Sequence, residues 1–206
     1  MKRALLSALT MVAFVTCVGG APIDLPTDAP SGEGDVRPLD LLSDSPLWKV
    51  LLDATHRNRQ MFDREFSSIM DYLHLDNFNI SSFPEDCQNT SINMEGCLKR
   101  LVRGLLVFQV LLKHVEREYP KSEILPKLKY FCRLLTSAAG QKMRNSDIIQ
   151  TLSQSDEDSL LKEVGHPDTF YRKMFAHNIL RKLHEFLRET KFQIKKRERR
   201  PGFTSS

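Results

Sequence analysis

The chain has 206 residues, of which 41% are apolar and only 9 are glycine, so it can build a core but has too few turn residues for an all-β fold. Its formal charge is +4, and Lys2 and Arg3 supply two of those charges, which leaves no global basic field to argue for nucleic acid. Enzyme motifs are missing as well: there is no His-Glu-x-x-His, no Gly-x-Ser-x-Gly and no glycine-rich phosphate loop.

At the N-terminus Lys2 and Arg3 precede an apolar run from Ala4 to Val18, followed by the small residues Gly19, Gly20 and Ala21. This is the three-part layout of a secretory signal over residues 1–21, and the run is too short to anchor the chain in a bilayer. Residues 22–46 then place Pro22, Pro26, Pro30, Pro38 and Pro46 among Asp24, Asp28, Glu33, Asp35, Asp40 and Asp44. Such a segment reads as a flexible acidic leader, so the folded domain is expected over 47–206.

Cleavage of the signal removes Cys17 and leaves Cys87, Cys97 and Cys132 in an oxidising compartment, which means one bridge and one spare thiol. Cys87 and Cys97 are the natural pair because their short separation keeps them close even in the unfolded chain. A loop of that size stabilises a fold by roughly 2 to 3 kcal/mol. A zinc site would need two more ligands nearby, and none is present. The sequons at Asn79 and Asn89 fit the same compartment as glycan acceptors.

Four helices follow from apolar periodicity. The first starts at Pro46, a good first-turn residue, and carries Leu47, Leu51, Phe62, Phe66, Ile69 and Leu73 on one face to about Asp76, with a weak stretch from Thr55 to Arg59. Residues 77–93 are polar and aperiodic, a long connection. In the second helix Leu98, Leu101, Leu105, Phe108, Leu112 and Val115 step by threes and fours, the seam of a bundle helix, until Pro120 closes it. The third carries Leu125, Leu128, Cys132, Leu135 and Ala139 in the same rhythm, which makes Cys132 a small buried hydrophobe rather than a reactive thiol. From Gly140 to Gly165 the chain is polar again, with a short helix expected near Asp147–Leu152. The last helix runs from Pro167 to about Lys196, its broad face of Ile179, Leu180, Leu183, Phe186, Leu187 and Ile194 suited to burial on two sides. A short link between the second and third helices makes them antiparallel, and long links elsewhere let the chain return. The expected fold is an all-α, up-up-down-down four-helix bundle with two long crossovers.

One stretch is more specific. Cys87, Cys97, Gly104, Leu105, Phe108 and Leu112 form the pattern C-x9-C-x6-G-L-x2-F-x3-L. It resembles the signature of the family of interleukin-6, granulocyte colony-stimulating factor and their avian myelomonocytic relative. Physically, Leu105, Phe108 and Leu112 are core side chains, and Gly104 permits close approach of a neighbouring element. The run His177-Asn178-Ile179-Leu180-Arg181 with Glu185-Phe186-Leu187 is similar to the last helix of the interleukin-6 branch. One bridge in place of the two usual in mammalian forms marks a divergent, non-mammalian member.

The resemblance implies a secreted cytokine of immune and acute-phase signalling, without cofactor or metal, that binds an interleukin-6-type α receptor and assembles the shared signal-transducing chain. The alternative is a granulocyte-factor-like growth factor acting through a homodimerising receptor. Carried over by position, the α-receptor face uses Ile92 in the disulfide loop and the end of the last helix, where Arg188, Lys191 and Lys195 supply charge, and Arg181 is a further receptor-binding candidate. Phe170 takes the aromatic position that meets a transducer chain. Where the family pattern has a basic residue six positions beyond Phe186, this chain has Phe192.

Rival sites are weaker. The basic run Lys195–Arg200 reads either as a weak heparin patch or as a solvated helix end suited to the helix dipole. His177 and His184 could share a helix face, but two ligands do not make a metal site. Glu185 beside His184 has no third partner for catalysis.

Overall fold

The computed structural model describes residues 41–66, 75–88, 92–144 and 151–199. All belong to the unit Pro38–Ser206; the expected signal, most of the leader and Asn89 lie outside the described residues. Five helices and no strand are present among the described residues: α1 (Pro46–Glu65), α2 (Met94–Glu118), α3 (Ile124–Gln141), α4 (Gln154–Glu163) and α5 (Thr169–Glu198).

Local chemistry sets each helix start. Pro46 opens α1 behind Ser45, whose side chain accepts from the Leu47 amide. Asn93 caps α2 at 2.8 Å from the Gly96 amide, and Asp168 caps α5 at 2.7 Å from the Phe170 amide. The seams expected of α2 and α3 are buried throughout, Cys132 included. Burial pushes the Cys132 thiol up to about 12, in keeping with an inert core residue.

Three expectations change. The leader does not stay loose up to Pro46: Leu42–Asp44 form a 3₁₀ turn, and the Trp48 indole donates to the Leu42 carbonyl at 2.8 Å. Trp48 is fully buried there and Leu47 only partly, so the core face of α1 keeps Leu51, Phe62 and Phe66 and widens to take in the indole. The weak stretch of the stripe is a buried polar seam, in which Thr55 bonds the Leu51 carbonyl and His184 Nδ1, and Asn58 bonds the Ala54 carbonyl.

Second, α1 ends at Glu65, short of Asp76. Phe66 is its cap and stays buried, Leu75–Phe78 form a separate 3₁₀ turn, and Ile69 and Leu73 lie outside the described residues. Third, the second crossover holds a helix that the sequence reading did not place, α4, which begins after the stretch Asp147–Leu152. Residues 145–150 lie outside the description, Thr151 and Leu152 are not helical, and α4 opens on a reciprocal Ser153–Asp156 capping box. Only Leu160 of α4 is buried, so no apolar rhythm announced it.

Pairwise bonds give the helix directions. The end of α1 meets the start of α5 through Glu65 and Lys173, while Thr55 meets His184, so the two are antiparallel. Likewise the end of α2 meets the start of α5, where His114 Nε2 donates to the Arg172 carbonyl at 2.9 Å and Glu118 pairs with Arg172 at 3.0 Å. Glu116 pairs with Lys129, and Glu95 accepts from the Arg144 amide, which sets α3 antiparallel to α2. Thus α1 and α2 run one way, α3 and α5 the other, the up-up-down-down bundle.

Gly104 lies where α2 and α5 cross. A Cβ there would sit 2.9 Å from Phe186 Cε2 and nearer still to Cζ, so only glycine lets the ring seat against the α2 backbone. Phe186 in turn packs on Phe108, with ring centroids 5.4 Å apart.

Candidate functional site

At the C-terminal end of α5 three segments converge. Cys87 and Cys97 form the expected disulfide, with Cα atoms 5.3 Å apart and both residues buried. Ile92 is half-buried, its Cγ2 lying 2.7 Å from where a Cβ on Gly96 would stand. Arg197, only 8% exposed, reaches into this loop: Nε donates to the Ile92 carbonyl at 3.2 Å and Nη2 to the Cys87 carbonyl at 3.1 Å. The next residue does the complementary task, since Glu198 accepts from the amides of Leu42 and Ser43 at 2.8 and 3.2 Å.

These bonds correct both readings of Lys195–Arg200. The run is neither a uniform basic patch nor a wholly solvated end, because Arg197 is buried on backbone carbonyls and Glu198 is bonded to the 3₁₀ turn; Arg200 lies outside the described residues. On the outer side of the same turns Arg188 is exposed, Lys191 and Lys195 are half-buried, and Phe192 is 59% exposed. Phe192 therefore presents an aromatic ring between cations at the place where a basic residue was expected.

Arg181 does not join this group. Its guanidinium pairs with Asp76 at 2.7 Å and accepts no freedom from Asn178, whose Oδ1 takes bonds from both Nε and Nη2. It thereby ties α5 to the 3₁₀ turn Leu75–Phe78, about 16 Å along the helix from Phe192. Asn79 is exposed just beyond that turn, accessible as an acceptor.

At the start of α5 lies a second apolar cluster of Phe62, Phe66, Phe78 and Met174. Phe170 is half-buried against it, edge-on to Phe66 with centroids 6.0 Å apart, and the neighbouring Tyr171 is 43% exposed. A polar chain threads the cluster. His177 Nε2 lies 2.5 Å from the Tyr119 hydroxyl, which donates to Glu65 at 2.9 Å, and Lys173 pairs with the same carboxylate. Glu65 can only accept, so the hydroxyl proton goes to it and His177 Nε2–H donates to the Tyr119 oxygen. Burial first, and Lys173 second, push the His177 pKa down to about 3, which keeps the ring neutral at pH 7.

Sequence reading missed a third surface. On α3, Tyr130 is 55% and Leu134 36% exposed, one turn apart on the same face. The signal was available: both are apolar residues lying off the Leu125–Leu128–Cys132–Leu135 stripe. The two histidines of α5 go to separate partners, His177 to Tyr119 and His184 to Thr55. No group of three or more metal-ligating side chains occurs among the described residues.

The Interleukin-6/G-CSF/MGF family matches the chain over residues 58–197. Interleukin-6 of the flounder Paralichthys olivaceus is 42% identical over 198 residues, covering 93% of this chain and 86% of the relative. Interleukin-6 of Sparus aurata is 39% identical over 94% of this chain and 88% of its own length, and that of Takifugu rubripes is 38% identical over 94% and 87%. These are fish proteins, which agrees with the expectation of a divergent, non-mammalian member. The bundle, the disulfide at the mouth of α2, the glycine under Phe186 and these relatives together place the chain in the Interleukin-6/G-CSF/MGF family, as a helical cytokine of the interleukin-6 type and not an enzyme.

Proposed function

We propose that this protein is a secreted cytokine that captures an interleukin-6-type α receptor and, with it, assembles the shared signal-transducing receptor chain in immune and acute-phase signalling. The observation that carries the reading is the separation of three exposed apolar surfaces on one bundle: Phe192 near the end of α5, Tyr171 beside the half-buried Phe170 at its start, and Tyr130 with Leu134 on α3. Phe192 and Tyr171 are about 30 Å apart along a helix rising 1.5 Å per residue, too far for one small contact patch. Exposed aromatics of this kind are apt hot spots.

In this reading Ile92, Arg188, Lys191, Lys195 and Phe192 face the α receptor, and Phe170 with Tyr171 faces a transducer chain. Secretion is supported by the residue 1–21 layout, and no helix among the described residues is long and apolar enough to cross a membrane. Glycans are assigned to Asn79 and Asn89. Any heparin affinity of the C-terminal run falls to Lys195, Lys196 and Arg199.

Receptor capture tests the proposal. The oxidised mature chain is passed over the immobilised transducer ectodomain with and without the α receptor. Retention only in the presence of the α receptor is expected. Direct capture by a homodimerising granulocyte-factor receptor would replace this reading with that of a granulocyte-type factor.

A further inference from the structure

We propose that Arg197 is the positioning residue of the α-receptor surface, a proposal that rests on the assignment of Ile92 and the outer face of α5 to that surface. The disulfide fixes Cys87 to Cys97 at the start of α2, but it sets no relation between the loop and α5. Arg197 supplies that relation. Its guanidinium bonds carbonyls 105 and 110 positions away, Ile92 and Cys87, which lie on the two limbs of the loop.

The fork is itself held. Nη1 donates to the Gln193 carbonyl and to its side-chain Oε1, both at 3.0 Å, so the guanidinium plane is oriented from within α5 before it meets the loop. A planar group with five donors can serve four acceptors in this way, whereas a lysine ammonium on a flexible stem cannot span the same carbonyls. Each bond is charge-assisted, and the cation also lies at the negative end of the α5 dipole.

The consequence is geometric. Arg197 points inward while Phe192 and Lys195 lie on the outer side of the same turns, so its bonds set the register between Ile92 and that outer face. A loop arriving in its bound position saves the ordering cost that a free loop would meet on binding.

Three variants test this: Arg197→Lys, Arg197→Gln, and the milder Gln193→Ala, which removes one acceptor and leaves no buried charge without its other bonds. Each is combined with Ile92→Ala, and binding to the immobilised α-receptor ectodomain is measured on proteins whose helical circular dichroism and cooperative melting are intact. We expect Arg197→Lys and Arg197→Gln to weaken binding about tenfold or more, with Gln193→Ala between them and the parent. We also expect Ile92→Ala to cost several-fold less in those backgrounds than in the parent, because an unpositioned Ile92 has little left to lose.

If Ile92→Ala costs the same in every background, Arg197 is merely structural and the proposal fails while the surface assignment stands. Parent-like binding by Arg197→Lys would overturn it equally. Should Ile92→Ala and Phe192→Ala both leave binding to the α receptor unchanged in the parent, the surface assignment itself is wrong and the proposal falls with it.

Discussion

At its C-terminal end α5 is tied to the rest of the protein by directed polar bonds to backbone groups, whereas its N-terminal end is set in aromatic rings. The first end joins a disulfide loop and a 3₁₀ turn, and there Arg197 and Glu198 take up carbonyls and amides that would otherwise lack these partners. The second end packs Phe62, Phe66, Phe78 and Met174 beside the His177–Tyr119–Glu65 chain and the Arg172 bonds to α2. Hydrogen bonds fail when geometry shifts by fractions of an ångström, while apolar burial is non-directional. The directed end thus specifies a loop conformation, and the aromatic end supplies stability.

The sharpest way to break this contrast is at the aromatic end. Phe62 is almost fully buried, with its ring 3.9 Å from that of His177 and 5.2 Å from Phe66. Phe62→Ala should cost about 3–5 kcal/mol in chemical denaturation. A loss well below that range would mean that the rings close over the gap and that the cluster contributes less than its burial suggests.

Next in size is the directed end. Replacing Cys87 and Cys97 together by serine should cost about 2–3 kcal/mol, less than the loss of the ring. If the double serine variant proves the weaker of the two, the covalent tie and not the aromatic cluster is the main source of stability.

A pH series sharpens the comparison further. The folded pKa of His177, about 3, lies below its ordinary value of 6.5, so between these values the unfolded state binds the extra proton. His177 therefore favours the fold fully above pH 6.5, and that contribution is lost progressively as pH falls towards 3. His177→Gln should flatten stability against pH across that window, read by melting temperature in a buffer series. An unchanged slope would show that groups other than His177 govern acid unfolding.

The smallest effect on stability is expected at Phe192. Phe192→Ala should change stability by no more than about 0.5 kcal/mol, since the ring is mostly in solvent. Its loss should appear instead in α-receptor binding. A variant destabilised by more than that would place the ring in the fold rather than in the receptor surface.

Much of the architecture was legible because helices record themselves locally. The α2 and α3 seams repeat within four residues, and both came through intact, as did the close approach at Gly104. The first helix shows where such reading stops. Leu47 and Trp48 are apolar neighbours, and the fold buries Trp48 fully, its indole N–H on the Leu42 carbonyl, while Leu47 is only partly covered. Helix α4 escaped notice because a capping box carries its start and one leucine its packing. Of the candidate site residues, Arg181 was named a receptor contact by its motif, and only the fold shows that its guanidinium is engaged by Asp76 and Asn178.

By itself the sequence determined the four bundle helices, though not where the first one ends, the cysteine pair, the crossover lengths that imply the up-up-down-down path, and the family signature, since each depends on neighbours or on fixed spacing. Tertiary structure alone decided that Arg197 turns inward while Phe192 stays outside, and that Glu198 holds the 3₁₀ turn ahead of α1. Within a run reading Lys-Lys-Arg-Glu-Arg-Arg every side chain is an equal candidate for solvent. Which one is buried depends on carbonyls more than a hundred residues away, and only the folded chain brings them within 3.2 Å.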